Sequence, residues 1–161
     1  MNVYNIIEYI IYLFTILTTK EIIEKFRARG LRITTHRIAV YKAVLSSLHP
    51  DADSILKKLK EEYPNITVAT IYNNLEALEK ARLINKVLTE KGSMKYDGIL
   101  TDHHHLLDTG EDRITDYFDE ELTKLLEEYF RKKPVPGFHV SKIMVQLIGT
   151  ESGRSSKTKE E

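Results

Sequence analysis

Apolar positions recur along the chain at two spacings, and the spacing changes partway. From Thr19 to Gly30, Ile22, Ile23 and Phe26 make one helical stripe, with Thr18 or Thr19 as cap and Gly30 as stop. After the link Leu31–Thr34, a second helix is predicted from Thr35 to Leu48, with Ile38, Val40, Tyr41, Val44 and Leu45 inward. His49-Pro50-Asp51 breaks it. Asp51 then caps a helix carrying Ile55, Leu56 and Leu59, which ends at Tyr63-Pro64-Asn65. A fourth helix is predicted from Thr67 to about Ala81, where Ile71, Leu75 and Leu78 stand at i, i+4 and i+7. Its other face carries Thr70, Tyr72, Asn73 and Asn74. Leu83–Leu88 and Met94–Tyr96 read as two strands around Thr89-Glu-Lys-Gly92, a hairpin signal. Helices followed by a β-hairpin is the order of a winged helix.

Beyond the hairpin the pattern shortens. His103–Leu107 and Arg113–Asp116 read as strands, and Asp119–Lys132 as an amphipathic helix with Leu122, Leu125, Leu126 and Tyr129 on one side. Pro134 and Pro136 end it, and Phe138–Ile148 alternates like a final strand. The predicted class is α+β. A winged helix-turn-helix DNA-binding domain spans 19–98, and a small α/β dimerisation and metal-sensing domain spans 99–150. The polar segment 151–161 reads as a disordered tail.

Residues 1–18 form an apolar extension. Its run Asn5–Leu17 is too short to cross a bilayer, carries Glu8, and lacks the basic start and small-residue site of a signal peptide. It reads as an extra packing element, a partner-binding segment, or the product of an upstream start codon. No membrane partner and a cytoplasmic location are expected.

Formal net charge is zero, which would argue against nucleic acid, but the charge is divided. Met1–Gly98 holds 15 Lys/Arg against 11 Asp/Glu, whereas Ile99–Glu161 holds 9 against 13. A basic first part suits DNA. Cysteine is absent, so disulfides and thiolate metal sites are excluded, and any metal must be held by imidazole or carboxylate.

The helix from Thr67 combines a stripe that docks it with a face that can donate and accept at base edges. Asn73 or Asn74 could bond adenine, Thr70 a thymine methyl or a phosphate, and Tyr72 a phosphate or a base face. Arg32 and Arg37 lie where preceding helices would approach the backbone. The DNA-contacting set is therefore Arg32, Arg37, Thr67, Thr70, Tyr72 and Asn73.

Asp102-His103-His104-His105 carries the sharpest chemistry. On a strand, His103 and His105 point one way while Asp102 and His104 point the other. Two imidazoles converging from one strand suit a divalent ion, and Asp97, Asp116 and His49 supply further candidate ligands. Such a borderline set fits Fe(II), Mn(II), Co(II), Ni(II) or Zn(II). The same run could serve a hydrolytic centre, but neither a neighbouring general base nor a phosphate-cradling loop accompanies it. The protein is not expected to be an enzyme.

Gly30-Leu-Arg32-Ile-Thr34 with Arg37, then His49-Pro-Asp-Ala-Asp53, Pro64-Asn-Ile-Thr-Val-Ala-Thr-Ile-Tyr-Asn-Asn-Leu75, Lys95-Tyr-Asp97, Asp102–His105, and Gly137-Phe138, Val140 and Gly149 follow in order. In these motifs, from Thr19 to Thr150, the chain resembles the ferric uptake regulator family, most of all its peroxide-responsive branch. The resemblance implies a homodimeric repressor on a palindromic, A/T-rich double-stranded operator. It implies a regulatory site of His49, Asp97, His103, His105 and Asp116 holding Fe(II) or Mn(II), with Zn(II) an alternative, that draws the two domains into a DNA-competent form. In the peroxide-responsive branch, ferrous iron and peroxide oxidise ligand imidazoles, at positions matching His49 and His103. Asn73, where iron-uptake members usually carry Arg, and carboxylates at both non-His positions of the site point to the same branch. The alternatives are a regulator of iron, manganese or zinc supply, and a DNA-binding member that no longer answers to metal.

The chain departs from the family at its structural zinc. Positions matching the two CxxC pairs are Asp108, Glu111, Glu151 and Arg154, so no structural zinc held by four cysteines is expected, and packing or dimer burial must offset the loss. Asp102 and His104 match part of an auxiliary metal site, where Ile143 replaces an expected His and His139 is out of register.

Overall fold

A computed structural model describes residues 17–89 and 91–150. The apolar run expected to pack or bind a partner and the polar tail, with Glu151 and Arg154, lie outside the described residues. The chain divides into two compact units, with the boundary between Asp102 and His103.

The first unit opens with four helices, α1 (Thr19–Ala28), α2 (Thr35–Leu45), α3 (Ala52–Lys60) and α4 (Val68–Lys80). Each begins where a polar side chain takes up an orphan amide. Thr18 and Glu21 form a reciprocal capping box on α1, and Thr34, Asp51 and Thr67 accept from Arg37, Ser54 and Thr70 amides. One core gathers Ile22, Phe26, Val40, Tyr41, Val44, Ile55, Ile71, Leu75, Leu78 and Ile84, all nearly inaccessible. Phe26 and Tyr41 pack with ring centroids 5.6 Å apart. Strands β1 (Asn85–Leu88) and β2 (Met94–Asp97) then pair antiparallel, Asn85 opposite Asp97 and Leu88 opposite Met94. Gly92, at φ +79°, sits in the turn between them. This is the winged-helix order read from the sequence.

Helix α2 stops three residues short of its predicted end. The Ser46 hydroxyl donates to the Lys42 carbonyl at 2.8 Å and the Ser47 amide tightens onto Val44. This local competition with the helical ladder turns the chain early. Leu48 is left exposed, and His49 takes φ +42°.

The second unit is a mixed sheet with one helix. Strands β3 (His104–Asp108) and β4 (Arg113–Tyr117) form a hairpin, α5 (Glu120–Lys132) follows, and β5 (Gln146–Gly149) returns parallel to β3, in the order β4-β3-β5. Asp119 caps α5 by accepting the Leu122 amide at 2.9 Å. The predicted strand Phe138–Ile148 is corrected here: only its end joins the sheet. The register pairs His105 with Gln146 and Asp108 with Gly149, and the His105 amide donates to the Val145 carbonyl. The Val145 amide, which would continue the ladder, donates instead to Nδ1 of His104 at 3.2 Å. Upstream residues therefore run without a ladder partner among the described residues.

Candidate metal centre

In the first unit, His49 and Asp97 are brought together by backbone pairing. The Tyr96 amide donates to the Pro50 carbonyl at 2.9 Å, residues 51 and 95 form an isolated bridge, and Lys95 Nζ meets Asp51 Oδ2 at 3.1 Å. The turn after α2 is thus stitched to β2, and the next residues outward on each side are His49 and Asp97. Both are buried, and they offer ligand atoms within 4.8 Å of each other. His49 holds a left-handed backbone conformation ahead of a proline, which for a non-glycine residue costs roughly 1–3 kcal/mol. Asp51 sits beside it. Burial pushes its carboxyl up, but the Ser54 hydrogen bonds and the Lys95 ammonium outweigh that and hold it at about 2.

The Asp97 carboxylate is oriented on both oxygens. Its Oδ1 accepts the Ile99 amide at 2.7 Å, and its Oδ2 accepts Asn85 Nδ2 at 3.3 Å. Asn85 escaped the sequence reading. Closing the hairpin on the four-residue Thr89–Gly92 turn would have set it opposite Tyr96, and only the observed register, with Leu88 opposite Met94, brings it to Asp97.

In the second unit, alternation along β3 does what the sequence predicts. His103 and His105 are fully buried with Nε2 atoms 3.1 Å apart, and Asp116 Oδ1 lies 3.3 Å from His103 Nε2 and 3.6 Å from His105 Nε2. Asp116 arrives because β4 pairs it directly with His105. Phe118 lies against the His103 ring with centroids 5.5 Å apart. Two donor atoms about 2.1 Å from a common ion at angles of 90–120° stand about 3.0–3.6 Å apart. The three observed separations fall in that range, so the residues present fit a divalent cation. Each unit therefore offers candidate donors of its own, His49 and Asp97 buried in the first and His103, His105 and Asp116 in the second.

His104 points to the other face, as predicted, but is engaged there. Its Nδ1 accepts the Val145 amide, so its Nε2 carries the proton and donates to Thr123 Oγ1 at 3.1 Å, which in turn donates to the Asp119 carbonyl. Both ring nitrogens are used inside the fold, and Asp102 is exposed. The second site expected at Asp102 and His104 therefore lacks a ready ligand atom on His104. At the positions expected to replace zinc thiolates, Asp108 Oδ2 and Glu111 Oε2 lie 3.9 and 3.8 Å from the Arg113 guanidinium.

On α4, Thr67 and Thr70 hydroxyls bond each other at 2.9 Å, and Tyr72 and Asn73 are exposed. Asn74 is corrected from the polar face to the buried stripe. Standing at i+3 from Ile71, it donates to the Thr70 carbonyl at 2.8 Å and cannot read a base from there. Arg32 is exposed. Arg37 is half-buried and donates back to the Arg32 carbonyl, bracing the link between α1 and α2.

A family model described as the ferric uptake regulator family matches residues 28–147. The chain belongs to this family. It is a metal-dependent transcriptional regulator and not an enzyme. The family binds DNA operators as dimers. The peroxide operon regulator of Bacillus subtilis is 31% identical over 131 residues, covering 81% of this chain and 88% of its own. Among solved structures, the ferric uptake regulator of Helicobacter pylori superposes with a TM-score of 0.70 at 20% identity, covering 88% of this chain and 97% of its own. The Campylobacter jejuni peroxide stress regulator does so at 0.65 and 24% identity, covering 86% of this chain and 100% of its own. At these identities the two structures speak for the fold alone. Among the described residues no helix is long and apolar enough to cross a membrane.

Proposed function

We propose that this family member is a cytoplasmic, homodimeric, peroxide-responsive repressor whose DNA binding depends on Fe(II) or Mn(II). The observation that carries the reading is the convergence of His103, His105 and Asp116 on one point, each donor within 3.6 Å of the others. A divalent cation would be held by these three from the second unit and by His49 and Asp97 from the first. A ligand that needs donors from both units favours the arrangement that provides them all, which is the requirement for a switch. The operator is double-stranded, palindromic and A/T-rich. Arg32, Arg37 and Thr67 hold the backbone register, and Thr70, Tyr72 and Asn73 face the bases.

The peroxide arm is supported by the 31% identity to a peroxide operon regulator, by Asn73 on α4, and by a set with only oxygen and nitrogen donors. Ferrous iron, when bound, would catalyse cleavage of the peroxide O–O bond, with no net loss of electrons from the iron. The net change is insertion of one oxygen atom into a C–H bond of the His49 or His103 ring, with peroxide reduced to water. An oxidised ring is a poorer ligand, and the DNA-competent form is lost.

The experiment is operator binding under anaerobic conditions, with and without Mn(II) or Fe(II), before and after peroxide. Metal is expected to raise affinity about 5- to 150-fold, matching a coupling of roughly 1–3 kcal/mol. Peroxide is expected to abolish the Fe(II) response and add 16 Da to a His49 or His103 peptide. Metal-dependent binding without that mass change would mark a regulator of metal supply. Binding indifferent to metal, or a His103→Ala variant that responds like the parent, would reject the site.

A further inference from the structure

We propose that Asn85 is a positioning residue for the metal centre, fixing the carboxylate of Asp97 without touching the ion itself. The inference rests on the assignment of Asp97 as a ligand. Asn85 is half-buried on β1, directly opposite Asp97 in the hairpin. Its amide nitrogen has two protons, and the structure gives it two acceptors, Asp97 Oδ2 at 3.3 Å and the Ile99 carbonyl at 3.1 Å. The reversed amide would aim an oxygen at a carboxylate and a carbonyl, so the nitrogen must be the atom that faces them. Meanwhile the Ile99 amide donates to Asp97 Oδ1 at 2.7 Å. Asp97, Gly98 and Ile99 thus form a tight turn closed on one side by the Asp97 side chain, and Asn85 bolts that side chain to the turn's own carbonyl.

The consequence is chemical. A carboxylate on a free rotor can bind an ion through either oxygen or both. Asp97 accepts a hydrogen bond on each oxygen, so its χ angles are set before an ion arrives and one lone pair per oxygen is already committed. That favours a single-oxygen contact in one direction. Partners that orient metal ligands in this way typically contribute about 10- to 100-fold in metal affinity.

The test is a Mn(II) titration of the full-length protein by electron paramagnetic resonance, arranged as a double-mutant cycle. Asn85→Leu keeps the side-chain shape and removes both donors, and Asn85→Ala serves if the leucine variant folds poorly, as judged by its apo melting curve. In the parent background we expect about a 10- to 100-fold loss of Mn(II) affinity. In an Asp97→Ala background the same change should alter affinity less than about threefold, because the group it positions is gone. Full parental affinity in Asn85→Leu, or an equal loss in both backgrounds, would overturn the proposal and leave the metal site standing. Parental affinity in Asp97→Ala alone would remove Asp97 from the ligand set, and this inference with it.

Discussion

The two units solve the problem of apolar surface differently. In the first, each helix sends apolar side chains into one shared core, although Leu48, Val68 and Leu88 stay exposed. In the second, α5 buries none of its residues, every residue of β5 is exposed, and Leu125 and Phe138 stand 64% and 69% accessible. Its interior holds Leu107 and Ile114 alongside three histidines. The first unit therefore closes a core of its own. Among the described residues the second leaves apolar faces uncovered, which fits the proposal that this unit pairs with a second copy. The contrast also bears on the missing cysteines. With no thiolate zinc to supply folding energy, covering these faces would add stabilisation to the second unit through apolar burial.

The most severe way to break the comparison is to cut into the first unit's core. Leu75→Ala, at a site 1% exposed, is expected to cost about 2–5 kcal/mol of unfolding free energy in urea. A loss below about 1 kcal/mol would mean that the core around α4 is looser than its packing indicates. Adding the ion comes next. Mn(II) at a hundred times its dissociation constant should stabilise the folded protein by about 2.7 kcal/mol, reversed by chelation and absent in His103→Ala. A variant stabilised like the parent would place the ion elsewhere.

The exposed helix sharpens the comparison from the other side. Leu125→Ala removes a side chain that its own unit does not bury, so the melting temperature of dilute protein should barely change. Self-association, measured by sedimentation equilibrium, should weaken by about 1 kcal/mol. An unchanged dimer with a lowered melting temperature would show that α5 packs within its own chain.

What the sequence made legible follows the same division. The stripe Ile71, Leu75, Leu78 is local, so it announced α4 and its docking face. Asn74 was misassigned because its type was weighed above its phase, and at i+3 from Ile71 it belongs to the buried side. The alternation of His103 and His105 was likewise readable from the backbone period. Asp116 and Asn85 depend on hairpin register, which a sequence suggests only through its turns. Residues 138–145 alternate as a strand would, but whether they pair depends on β3, far back along the chain. There His104 spends its Nδ1 on the Val145 amide that would have extended the ladder. Periodicity reports which face a residue takes, whereas partnership is settled by distant chain.

The smallest expected effect isolates charge from shape at the turn that carries His49. Asp51 caps α3 and meets Lys95, with its carboxyl held at about 2, below the ordinary 3.8. A carboxyl lowered on folding stabilises the protein above its unfolded value, and that contribution fades as pH falls from about 4 toward 2. Asp51→Asn keeps a good capping side chain, so the α3 terminus should survive and the loss at neutral pH should be small. The pair is a third exposed on the Asp51 side, and water screens much of its attraction. The measurable signature is therefore a slope. Between about pH 4 and 2 the parent should lose stability more steeply than Asp51→Asn, in urea unfolding followed by circular dichroism. Parallel slopes would mean that Ser54 and Lys95 leave Asp51 titrating as it does in the unfolded chain. The turn that presents His49 would then be held by the backbone bonds between residues 50–51 and 95–96 alone.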